Sequence, residues 1–191
     1  MPKVGMEPKR RAALVDAAIV EIGKAGSLDV TVAQIARRAG MSSGLAHHYF
    51  GGKEQMLLAA MRHILGVFTE QVRIGFLSAK TPRERLEALI RANFADHVFD
   101  RKKTSAWLSF YAMAQANEDA ARLMQIYQRR LQSNLLFDLR HLVANPEAVA
   151  AALGALIDGA YLRAALAGQG PDPQAAETVL LTLDALIGDA K

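Results

Sequence analysis

Residues 31–50, TVAQIARRAGMSSGLAHHYF, leave a chain few ways to fold. Gly40 stands between two short runs of helical apolar spacing: Ile35, Ala36 and Ala39 before it, and Met41, Leu45, Ala46 and Tyr49 after it. Glycine adopts a left-handed backbone without a Cβ clash, so the chain can turn sharply at this point and bring the second run back to the same core. Ala36, four positions before the glycine, is small where the second helix would cross. Thr31, and Ser42 or Ser43, supply the short oxygen-bearing side chains that open helices. Two short helices around a glycine turn describe a helix-turn-helix.

The remaining sequence also reads as helix. Residues 9–25 place Leu14, Ala18, Ile22 and Ala25 on one face, with Pro8 as the opening residue and Gly26-Ser27 as the stop. After Gly51-Gly52 a long helix is predicted from about Lys53 to Ala79. Thr81-Pro82-Arg83-Glu84 is a capping box with a first-turn proline. Asn145-Pro146 and Asp172-Pro173 repeat the cap-then-proline signal, giving helices near 104–116, 118–143, 146–167 and 173–188. No strand-like alternation persists. The expected fold is all-α: a three-helix N-terminal helix-turn-helix domain over residues 1–52, then a helical-bundle domain over 53–191 for effector binding and dimerisation.

Charge and composition narrow the function. Residues 1–53 carry eight Lys/Arg against four Asp/Glu, which accounts for the whole net charge of +4; residues 54–191 carry 15 of each. Such asymmetry suits an anionic polymer, although a solvated basic tail would look the same. The absence of cysteine removes disulfides, thiolate metal sites and cysteine nucleophiles, and fits a cytoplasmic location. The most apolar stretch, 148–168, is broken by Asp158 and Arg163, so no membrane partner is expected.

A helix-turn-helix lays its second helix in the major groove while the first crosses the backbone. Here the second helix would present Ser42, Ser43, Gly44, His47 and His48, short or hydrogen-bonding groups that allow close approach to base edges. Thr31, Tyr49 and Lys53 stand where phosphate contacts are expected. The segment, with Tyr49-Phe50 followed by Lys53, resembles the DNA-binding domain of TetR-family repressors, and the helical plan is similar to that family's. Further stretches resemble the family's choline-responsive branch, which represses betaine-synthesis genes. They are MPKVGM with Arg10-Arg11, AQIARRAG, HYF, AWLSF at 106–110, RRLQSNL at 129–135 and ALIDGAYLRAALAG at 155–168. The sequence departs from that pattern in the Gly51-Gly52 loop and at Tyr161, where tryptophan is expected.

The resemblance implies a double-stranded, palindromic DNA operator, a homodimer, and a small-molecule effector, choline, with no cofactor. Choline carries a permanent cation without N–H donors, so its site needs aromatic faces and often a balancing carboxylate. Trp107, Phe110 and Tyr111 fall near one helical face, and Tyr127, Asp158 and Tyr161 follow on later helices. The same aromatic cluster would serve as plain core, and Asp158 has Arg163 as an alternative partner. Ala151, Ala155 and Gly159, with Leu180, Leu183 and Leu186, are expected at the dimer surface, burial within one subunit being the alternative.

Enzyme readings find little purchase. The histidines at 47, 48, 63, 97 and 141 form no HExxH pair, and no phosphate loop or GxSxG elbow occurs. No catalytic or metal-ligating residue is expected, and Glu84 and Glu87 read as a solvated charged face. The competing readings are a TetR-family repressor of an efflux or other pathway sensing a different cation, a non-specific architectural DNA-binding protein, and a helical-bundle enzyme.

Overall fold

The computed structural model describes residues 6–26, 29–96, 99–167 and 172–188; residues 1–5 of the opening motif, Ser27, His97 and Gly168 lie outside them. Among the described residues every regular element is an α-helix. In chain order these are α1 (Met6–Ala25), α2 (Val32–Arg38), α3 (Ser43–Phe50), α4 (Lys53–Ser78), α5 (Pro82–Asn93), α6 (Arg101–Ala114), α7 (Glu118–Leu139), α8 (Pro146–Leu166) and α9 (Ala175–Gly188). No helix among them is long and apolar enough to cross a membrane.

Local chemistry sets most boundaries. The Thr31 side chain accepts from Gln34 N at 3.2 Å, and Gln34 Oε1 accepts from Thr31 N at 2.7 Å, a reciprocal cap that starts α2. Ser42 Oγ accepts from Leu45 N at 3.2 Å and starts α3. Gly40, at φ +67°, takes the left-handed turn between them. α1 already runs at Met6, so Pro8 lies within its first turn instead of opening it; an N–H missing there forfeits no helical bond. Leu14, Ala18 and Ile22 are buried, but Ala25, expected on the same face, is exposed in the last turn before Gly26.

Three later boundaries differ from the sequence reading. α6 begins at Arg101 because Asp100 caps it, accepting from Lys102 N and Lys103 N; its first turn is Arg-Lys-Lys, which carries no apolar period to read. α7 ends at Leu139, and tight turn bonds such as Leu142 N to Leu139 O replace the helix expected to 143. Pro173 and Gln174 form a turn before α9 starts at Ala175.

One contiguous core joins the two halves. α1 packs on α2 and also on α4 and α6, while α6, α7 and α8 pack on one another. α1 and α6 come close together at Gly23. A Cβ built there would lie 2.6 Å from the Lys102 Cα and nearer still to its Cβ, so only glycine fits. α5 and α9 are laced by charge: Arg83 donates to Asp184 and Arg91 to Glu177, each at 2.7 Å, and Glu87 accepts from both arginines. Glu87 is therefore a bridge and not merely a solvated charge, and Glu84 completes the cap of α5 by accepting from Lys80 N and Thr81 N.

Candidate functional site

Two places gather the chemistry. The first is the outer face of α3. Ser42, Ser43, Gly44, His47 and His48 are all exposed, while Ala46 and Phe50 on the opposite side are buried. The helix therefore turns its short polar groups outward because its apolar period fixes the inward side. Thr31 is exposed, but its hydroxyl is committed to the α2 cap. Tyr49 and Lys53 are half-buried at the end of α3 and the start of α4, and His47 Nδ1 lies 3.3 Å from Gly51 O. The eight expected DNA-facing residues thus fall on α3, at the caps that open α2 and α3, or at the start of α4.

The second place is an aromatic cluster inside the α6–α7–α8 bundle. Trp107 is its hub, with ring centroids 5.8 Å from Tyr111, 4.9 Å from Tyr127 and 6.0 Å from Tyr161. Tyr111 Oη donates to Asp158 Oδ1 at 3.0 Å. Asp158 thus takes its bond from a phenol and not from Arg163, and no cationic side chain pairs with it among the described residues. Burial pushes its carboxyl above the ordinary range despite that hydrogen bond. Burial, reinforced by the nearby Asp158 charge, also holds Tyr111, Tyr127 and Tyr161 above the usual phenol range, so all three stay neutral. Phe110 is fully buried and meets the cluster at Trp107, 6.0 Å away, standing behind the hub.

The structure adds residues that sequence reasoning missed. Phe99 lies 4.8 Å and Phe94 6.1 Å from the Tyr161 ring, and Tyr161 Oη donates to Asn93 O. Phe68 of α4 meets Tyr127 edge-on at 6.2 Å. Phe94 and Phe99 belong to the segment between α5 and α6, where no helical period exists to assign them a direction. Phe68 is one of many apolar residues on α4, so no spacing marks it out. Among the described residues no cluster of three or more His, Asp or Glu could hold a metal ion.

Comparison with known proteins decides the family. Residues 14–60 match the model for bacterial regulatory proteins of the tetR family, and residues 82–188 match that for the C-terminal part of BetI-type transcriptional repressors. The chain belongs to the TetR family, in its BetI-type branch. It is 50% identical over 186 residues to the HTH-type transcriptional regulator BetI of Brucella abortus (strain 2308), covering 96% of this chain and 93% of that one. It is a DNA-binding transcriptional repressor, not an enzyme. Among solved structures, a transcriptional regulator of Pseudomonas aeruginosa PAO1 matches with TM-score 0.81 and 25% identity, over 96% of this chain and 92% of that one. A transcriptional regulator of Saccharomonospora viridis, solved in complex with choline, matches with TM-score 0.75 and 21% identity, over 95% and 96% of the two chains. At that identity the second likeness is one of fold.

Proposed function

We propose that this BetI-type repressor binds a palindromic operator as a two-fold dimer and releases it when choline enters the Trp107 cluster. Residues 1–52 read DNA through Ser42, Ser43, Gly44, His47 and His48, with Thr31, Tyr49 and Lys53 against phosphates. Residues 53–191 bind the effector and the second subunit. The observation that carries the ligand assignment is the environment of Asp158. A half-buried carboxylate whose described bond comes from a phenol is short of positive charge, and that phenol belongs to a cluster of four aromatic rings around Trp107. A quaternary ammonium supplies that charge without needing a hydrogen bond, and ring faces attract it by about 0.5–2 kcal/mol each. Trp107, Tyr111, Tyr127 and Tyr161 form the cage, Asp158 balances the cation, and Phe110 supports the hub.

The rings touch one another, so a bound cation must spread them and shift α6 against α7 and α8. Since α1 bears on both α6 and α4, that shift reaches the DNA-reading unit through two contacts. A ligand changes operator affinity only by binding the two conformations unequally.

The test is fluorescence anisotropy of a labelled duplex spanning the promoter upstream of this gene, titrated at fixed salt with and without saturating choline. The expected result is binding that exceeds that of a scrambled duplex and weakens with choline. Operator binding indifferent to choline would overturn the effector assignment, and competition with hydrophobic dye cations would then identify a repressor with a different ligand.

A further inference from the structure

The end of α3 is held by two arginines of α1, outside the α2–α3 pair. Arg11 of α1 donates from Nη1 to the Tyr49 carbonyl, and its guanidinium carbon sits 4.6 Å from the centroid of the Phe50 ring. Arg10, beside it, reaches the Tyr49 hydroxyl from Nη1 at 3.4 Å. The Tyr49 carbonyl belongs to the last turn of α3, where carbonyls lack helical partners and a cation is favoured. A planar guanidinium can donate along its edge while its face stacks on a ring, which an ammonium cannot do. Arg11 therefore grips the end of α3 by two contacts at right angles in kind, one polar and one to a π-face.

The backbone alone gives α3 a loose exit. Gly51, at φ +76°, and Gly52 follow it, and a Cβ on either would meet no atom within 4 Å. Two unpacked glycines impose little stiffness, so the tilt of α3 against α1 is left to side chains. The outward groups on α3 are short, and a short side chain cannot reach further to compensate for a tilted helix.

We propose that Arg11, assisted by Arg10, is a positioning residue for operator discrimination: it orients α3 from α1, and it does so without serving as a phosphate contact. The proposal rests on the operator-binding reading above. Its consequence is that losing the clamp degrades base readout, which depends on placement, more than backbone affinity, which depends on charge.

The experiment first enriches a duplex from a random library with the wild-type protein. Wild type, Arg11→Lys and Arg11→Gln are then titrated against that duplex and a scrambled one across a salt series. Both variants should lose roughly tenfold in the ratio of selected to scrambled affinity, while the slope of log affinity against log salt stays at the wild-type value. The ratio is unaffected by any loss of folded protein, which lowers both affinities alike. If Arg11→Gln weakens both duplexes equally and cuts the salt slope by about 0.9, with Arg11→Lys near wild type, Arg11 is a phosphate contact and the proposal fails. Wild-type behaviour in both variants would overturn it as well. Failure of the wild-type protein to enrich any duplex would instead overturn the operator reading, and the clamp with it.

Discussion

Under the proposed function Asp158 has two opposed effects, a cost to the unliganded protein and a charge that balances the bound cation. Burial disfavours its charge, and the Tyr111 hydroxyl offsets only part of that cost. An amide in its place would keep an acceptor for Tyr111 and remove the charge. Asp158→Asn should therefore raise the melting temperature of the unliganded protein at neutral pH, and lower choline affinity at least about tenfold in calorimetric titration, a loss of about 1.4 kcal/mol. The pH dependence has a fixed sign. Because the folded carboxyl titrates above its unfolded value, the ionised form destabilises the unliganded fold as pH rises through that interval, and the penalty disappears below it. Choline affinity runs the other way: it should fall as pH is lowered through the raised titration of the free Asp158 carboxyl, and Asp158→Asn should abolish that dependence. Of this site, Trp107, Tyr111, Asp158 and Tyr161 were legible in the sequence because they share helical faces. Phe94, Phe99 and the Asn93 carbonyl were not, since their directions come from a connecting segment with no period.

Among the elements, α1 does more than complete the helix-turn-helix. It packs on α2 and also on α4 and α6, so it touches both the DNA-reading unit and the helical bundle. The contact with α6 is set by Gly23 against Lys102, where there is no room for a methyl group. Gly23→Ala is expected to destabilise the protein by about 1–3 kcal/mol, because backbone must move to admit the Cβ. Chemical denaturation would show this as a lower midpoint with an unchanged slope. The usual gain in helix propensity from glycine to alanine, about 1 kcal/mol, opposes the clash; a stability equal to or above wild type would mean that α6 yields at no cost. The spacing of α1 predicted its buried stripe but gave no hint of this crossing, since a glycine within a helix looks the same whether it is packed or free. The Asp100 cap was missed for a comparable reason: three basic residues follow it, and the apolar rhythm begins only after them.

At the scale of the molecule, the outward faces of α8 and α9 carry exposed leucines. Leu162 and Leu166 on α8 and Leu181 on α9 are exposed, Leu166 and Leu181 at 69% and 70%, and Ala151 and Ala155 continue the α8 stripe. Leu180 and Leu183 do not form the α9 seam expected of them. Both are buried within their own chain, and Leu186 is half-buried, which leaves Leu181 as the outward leucine. An isologous pairing of the α8–α9 faces would cover this stripe and hold two α3 helices at a fixed separation. The double variant Leu166→Glu, Leu181→Glu should sediment as a monomer at micromolar concentration and lose most operator affinity, with helical content retained by circular dichroism. A dimer that survives both charges would place the subunit interface elsewhere.

The sequence by itself determined that this chain is helical, where most helices begin, which side of α3 faces outward and to which family it belongs. These are local matters: a cap, a glycine turn or an apolar period acts within a few residues, and motif resemblance needs no coordinates. Only the tertiary structure decided which leucines of α9 are core, that Asp158 takes its bond from the Tyr111 phenol, and that arginines of α1 reach the end of α3. Each of those depends on residues distant in sequence, brought together by burial, and no spacing along one helix records what lies across from it.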